Sequence, residues 1–194
     1  RFLTLLESCS LIPIFNQSDQ PPKMREIQGK ENNKSVKDFQ LNTLREITNA
    51  INDNLSEEQL FILFEYILQN QLGIGEAVIF LNQDQVWQVV LQHSVNEKDL
   101  MINIEHELKK VTDISVLNTA RNGRTSSFDV VVPIHHQSNP LAYLLLGDLD
   151  KQASKPSPII KHLSFIQTLA NITAVAAENK GLEREHLEQE KLMQ

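Results

Sequence analysis

An α+β sandwich is the fold class this sequence predicts: an antiparallel sheet flanked by helices, with one long helix at the C-terminal end. Three observations predict it. Apolar residues recur at helical spacing before residue 70 and again from Pro158 onward. Between these regions lie two pairs of short, β-rich apolar segments, each pair joined by a few polar residues. The last helical pattern does not stop where a small domain would need it to stop.

The elements follow in order. Residues 2–15 read as a short helix with Leu3, Leu6 and Ser10 on one face and Pro13 as its stop. Residues 16–37 are polar, contain Pro21 and Pro22, and read as a mobile linker. From Asp38, the residues Leu41, Leu44, Thr48, Ile51 and Leu55 mark a helix face. Ser56 and Gln59 have the spacing of a capping box, and Leu55 and Leu60 that of a hydrophobic staple. Glu57 and Glu58 suit the positive end of the helix that follows. Leu60, Leu63, Phe64, Ile67 and Leu68 form its buried stripe, and Gly73 stands where it should end.

EAVIFLN (76–82) is apolar on both faces and reads as an interior strand. VWQVVLQH (86–93) alternates, which places Trp87, Val89 and Leu91 on one face. Gln83–Gln85 suit the hairpin turn between them. Asn103 caps a short helix with Ile104, Leu108 and Val111 inward, and residues 118–126 read as a loop. Residues 128–135 and 141–148 form a second hairpin. Ser157 then caps the last helix, with Pro158 in its first turn. No internal repeat is visible.

That helix is expected to run to Gln194, roughly 55 Å at about 1.5 Å per residue. Its first half is apolar (Ile159, Ile160, Leu163, Ile166, Leu169, Ile172, Val175), and its second half, from Gly181, is charged with scattered leucines. Half belongs to a core and half to a connector. The chain begins at Arg1 and ends within this helix, so both ends are expected to be cuts in a longer protein. The domain division is therefore 1–37, N-terminal helix and linker; 38–180, compact domain; and 181–194, the start of a coiled-coil linker to an output domain.

Composition narrows the function. A net charge of −7 with dispersed basic residues argues against a nucleic-acid or anionic-membrane surface. The apolar stretch near the start is interrupted by Glu7, Ser8, Ser10 and Pro13, too short and polar for a membrane span or a signal peptide. One cysteine, Cys9, excludes a disulfide framework and fits a reducing cytoplasm.

The element order, and the stretches 44–61, 128–150 and 157–182 in particular, resemble the GAF domain, a family of small-molecule sensor and dimerisation modules. The resemblance covers about Asp38 to Lys180. Within that family the three stretches look like the domain that precedes SpoIIE-type protein serine phosphatase domains in Bacteroidetes-like bacteria, phosphatases that resemble RsbU. The resemblance implies a cytoplasmic regulatory domain, not itself an enzyme, in a protein whose full length would be a metal-dependent phosphatase. It implies a homodimer through the helices from Leu41 and from Pro158, with a signal passed along the last helix. The stripe Leu163, Ile166, Ala170, Thr173 and Ala177 is read as continuing beyond what one sheet can cover. Ala170, Ala174 and Ala177 are read as letting two helices approach closely. Leu182, Leu187 and Leu192 are spaced by five, which predicts a frayed coiled coil. Alternatives are the sensor domain of a histidine kinase or diguanylate cyclase, or a ligand-free dimerisation scaffold.

No catalytic or metal site is expected, and no cofactor is assigned. Adjacent His135 and His136 would point to opposite faces of a strand and read as a solvated turn. His93, His106, His162 and His186 have no ligand spacing; His162 reads as a packed or interface residue. Asp148 and Asp150 read as a strand end. No phosphate loop or nucleophile elbow appears. Cys9 lacks the companions that enzymatic free methionine sulfoxide reductases use, and it lies outside the domain that would carry a cysteine-bound bilin. The pattern of cyclic-nucleotide GAF domains is not found; residues 96–100 only resemble its composition. Any small-molecule pocket is expected between the sheet, with Phe80 and Trp87, and segment 95–126, which carries Arg121 and Arg124. Core packing for Phe80 and Trp87 and solvation for the arginines are the plainer readings.

Overall fold

A computed structural model describes residues 22–117, 128–137, 139–147 and 157–193. The chain separates into two compact units, Arg1–Phe39 and Gln40–Gln194. In the first, the described residues belong to α1, which runs Pro22–Asn52 and continues into the second. Residues 22–37 are therefore helical rather than a linker. Local preference accounts for this. Pro22 suits a first helical turn, and Met24, Arg25, Glu26, Gln28, Lys30, Glu31 and Lys34 are good helix formers. The polarity that suggested a linker says only that no core face is available there. The short helix expected at 2–15 lies outside the described residues.

In the second unit α1 ends on an αL cap. Asn54 has φ 62°; its N–H donates to the Ile51 carbonyl at 3.0 Å, and Leu55 N–H donates to Ala50 at 3.1 Å. The chain re-enters helix at once in α2 (Glu57–Tyr66). The capping box forms as expected, with Gln59 N–H donating to Ser56 Oγ at 3.3 Å and Ser56 N–H donating to Gln59 Oε1 at 3.0 Å. A π-helical turn, Ile67–Gln71, follows, and Gly73 terminates it at φ 70°.

The sheet is antiparallel, with strand order β2-β1-β5-β4-β3, built from β1 (Glu76–Gln83), β2 (Val86–His93), β3 (Ser115–Val116), β4 (Phe128–His136) and β5 (Asn139–Gly147). Both expected hairpins are present, and β1 pairs β5 to join them. β1 is interior and buried on both faces. The two-residue edge strand β3 had no sequence signal, being too short to show alternation. The alternation read for β2 is broken by a bulge. Ile79 pairs Leu91 but Phe80 pairs Val89, so Val90 is the extra residue. Leu91 thus shares the face of Ile79, while Trp87 and Val89 share that of Phe80.

One sheet face is covered by α2 and by α4 (Pro158–Leu192). Ser157 Oγ caps α4 by accepting from Ile159 N–H at 3.2 Å. The other face lies under a 3-10 turn (Glu97–Leu100) and α3 (Ile104–Glu107), capped by Asn103 as expected. The second core side comprises Val78, Phe80, Ile102, Ile104, Leu108, Phe128, Val131, Tyr143 and Leu145.

Burial corrects two stripes. In α1 the buried residues are Thr43, Ile47 and Ala50; Leu41 is 62% exposed, Thr48 is exposed, and Leu44 and Ile51 are half-buried. In α4 the residues Ile166, Ala170, Thr173, Ala174 and Ala177 are buried in the domain's own core. The small alanines let α4 lie close to its own sheet and α2, not to a second chain.

Candidate functional site

Two places on the second unit carry the residues the sequence singled out. The first is the sheet face beneath α3. Phe80 is buried there among apolar neighbours, and Trp87 packs at its margin. The Trp87 and Tyr143 rings lie 5.2 Å apart at 39°. Trp87 Nε1 donates to Glu105 Oε1 at 2.9 Å, and Lys109 Nζ donates to Glu105 Oε2 at 2.7 Å. Those two donors, Lys109 first, hold the exposed Glu105 carboxyl below its ordinary pKa. Tyr143 is fully buried, and its hydroxyl finds no hydrogen-bond partner among the described residues. Burial, reinforced by the Glu105 charge, pushes its pKa up. Among the described residues, this face is packed by the cluster of Val78, Phe80, Ile104, Leu108 and Tyr143. Arg121 and Arg124, expected to face a ligand, lie outside the described residues.

The orphan hydroxyl gives a direct check on that packing. Tyr143→Phe is expected to leave stability unchanged or raise it by about 1 kcal/mol, read from the urea midpoint, because the penalty of an unbonded buried hydroxyl is removed. A clear loss of stability would mean that the hydroxyl is bonded in solution.

The second place is the outer side of α4. Ile51 of α1 and Asn171, Ile172, Val175, Ala176 and Asn179 of α4 line an open groove of about 560 Å³. Nothing in the sequence reading placed Ile172 and Val175 here rather than in the core. The signal was available: Thr168, Ile172, Val175, Asn179 and Leu182 follow heptad spacing on the side opposite the buried stripe.

The histidines separate. His135 is exposed, as expected for a turn. His136 is not simply solvated: its Nδ1 lies 2.5 Å from Glu178 Oε2 on α4, with both side chains about two-thirds buried. A partner 42 residues away in sequence gives no local signal. His93 Nδ1 stands 3.4 Å from Glu65 Oε1 on α2. His162 is packed, as expected; burial, then the Lys161 charge, lowers its pKa, and its buried Nδ1 has no partner. His106 and His186 are exposed. Among the described residues no three His, Cys, Asp or Glu side chains cluster as a metal site would require. Cys9, Asp148 and Asp150 lie outside the described residues.

α4 is the one helix among the described residues with a window long and apolar enough to cross a membrane. Its buried apolar residues pack on the sheet and α2, and 39% of that window is buried inside the fold.

The five-stranded antiparallel order, the helices on one face and the long terminal helix match a solved GAF domain assigned to a sensor histidine kinase of Pseudomonas syringae pv. tomato. That match has a TM-score of 0.62 at 13% identity, over 82% of this chain and 99% of that one. The chain has the GAF fold. Other solved structures agree. The GAF domain from a Coxiella burnetii phosphoenolpyruvate-protein phosphotransferase gives a TM-score of 0.57 at 19% identity, covering 75% of this chain and 96% of that one. Residues 122 to 287 of a methyl-accepting chemotaxis protein give 0.52 at 12%, covering 73% and 99%. No protein-family model matches the sequence, and no curated protein sequence matches it significantly. This GAF fold is thus carried by a sequence only 12–19% identical to these three structural neighbours.

Proposed function

We propose that this chain is a cytoplasmic regulatory GAF domain that forms a homodimer through α1 and α4. It passes a signal along α4 to a downstream SpoIIE-type protein serine phosphatase domain. The observation that carries the dimer is the partly covered stripe of α1. Leu41, Leu44, Thr48 and Ile51 have the spacing of a helix-pairing seam, and the domain leaves Leu41 and Thr48 exposed and Leu44 and Ile51 only half-buried. Beside its end lies the groove lined by Ile172 and Val175. Two such surfaces related by a two-fold axis would cover each other. Signal passage is supported by α4 itself, whose buried residues reach Gly181 and whose remaining turns to Leu192 are exposed helix.

On this reading the domain performs no catalysis, and nucleic acid and membrane are not its partners. The close packing of Phe80 and Tyr143 with α3 residues favours a second reading, a dimerisation scaffold that takes no small molecule. The fold neighbour from a histidine kinase supports that class of output domain as the alternative to a phosphatase.

Light scattering on the chain tests the dimer. The expected mass is that of two chains, falling to one for the Ile172→Asp/Val175→Asp pair with the far-UV spectrum unchanged. A parent chain that stays monomeric at high concentration removes the dimer. Joining residues beyond Gln194 from the natural protein and assaying phosphoserine hydrolysis tests the output.

A further inference from the structure

Where α4 leaves the domain it is held by polar groups from separate elements. His136, at the end of β4, meets Glu178 at 2.5 Å. Asn54, the αL residue that ends α1, accepts a hydrogen bond from Lys180 through Oδ1. Glu57, the first residue of α2, has Oε2 3.8 Å from Arg184 Nη2. Glu57 is itself anchored, since Gln83 at the end of β1 donates to its Oε1 at 2.5 Å. At about 100° per residue, positions 178, 180, 181 and 184 cover about 160° of the helix circumference. All three contacts to α4 fall within residues 178–184, and from Leu182 to Met193 every side chain is exposed.

In the middle of this ring is Gly181. It is buried, and a Cβ there would meet only Glu57 Oε2, at 3.8 Å, an ordinary contact. Space does not demand glycine. What glycine does supply is a weak point in helix propensity at the point where packing ends. A ring of weak, partly exposed polar ties around a weak helical joint is suited to two states of similar free energy.

We propose that these contacts form a release collar. Closed, it fixes the direction in which α4 leaves the domain; open, it frees residues 178–192 to change direction or fray about Gly181. Because His136 and Gln83 sit at the same end of the sheet, at the ends of β4 and β1, a shift of that sheet end opens or closes the collar. The proposal deepens the reading of α4 as the signal path and rests on it.

Hydrogen exchange by mass spectrometry on the chain tests it. The Asn54→Gly/Glu57→Met/His136→Leu variant keeps the αL turn and roughly the side-chain sizes at Glu57 and His136, and removes the polar groups that make the ties. Exchange in residues 178–190 should rise at least tenfold while residues 160–174 and the sheet stay within twofold. Adding Gly181→Ala should bring part of that rise back, by about threefold, through helix propensity. Unchanged exchange at 178–190, or an equal rise across the domain, overturns the collar. So does a rise that appears only with loss of the dimer by light scattering on the same samples, which would place the protection of the tail in the partner chain. A monomeric parent with the tenfold local rise keeps the collar and removes the dimer instead.

Discussion

Ile166→Asp is expected to unfold the domain, not to separate two folded chains. Ile166 is 0% exposed, on the side of α4 that faces the domain's own core. The substitution loses about 1.5–3 kcal/mol of apolar burial. It also places a carboxylate where no partner exists, which costs several kcal/mol more or forces the acid to stay protonated. Single domains commonly have only about 5–15 kcal/mol in total. The expected result is loss of the cooperative thermal transition and of the near-UV signal of Trp87. Ile172→Asp, six residues on and facing the groove, should melt cooperatively and close to the parent. If the Ile166 variant melts cooperatively as a monomer, the burial of that face is wrong and the stripe 163–177 returns to the dimer.

Phe64→Ala should cost about 3–5 kcal/mol, as large-to-small changes at fully buried aromatic positions do. Phe64 is 0% exposed on the inner side of α2, the helix that shares the covered sheet face with α4. Removing its ring leaves a void where two helices and the sheet meet, and the short α2, fixed at one end by its capping box, has little freedom to collapse into it. Ile62→Ala, on the exposed side of the same helix, should cost under about 0.5 kcal/mol. Urea unfolding of the two variants reads the difference directly. Similar midpoints would mean that α2 is not packed on that face.

Much of this was legible in the chain. The α2 start needed only Ser56 and Gln59, because a capping box closes within four residues. The hairpins β1–β2 and β4–β5 and the Ser157 cap of α4 are likewise local, since their hydrogen bonds join residues near in sequence. What failed to read failed for one reason, that periodicity shows a side chain's angular position but not which surface will meet it. Leu41, Leu44 and Ile51 have good helical spacing, yet Leu41 is exposed and the other two lie at the margin of the core. Ala170, Ala174 and Ala177, read as a seam for a second chain, pack inside their own domain. The bulge at Val90 moves Leu91 to the other sheet face, and no residue type announces it.

The candidate sites divide the same way. Phe80 in the core and Trp87 at its edge were the plainer expectation from their place in two strands, and the structure packs both against the same cluster. The pairing of His136 with Glu178, and of Asn54 and Glu57 with α4, could not be read at all. Each joins positions far apart in sequence whose proximity depends on how the sheet and helices stack. The order of the main elements, the caps and turns at Ser56, Gly73 and Ser157, and the length of α4 are written locally in the chain, because they rest on short-range hydrogen bonding and backbone preference. Which helical stripe is buried, which stays partly open and where α4 leaves the domain come from the packing of distant elements, because they depend on apolar surfaces meeting across the fold.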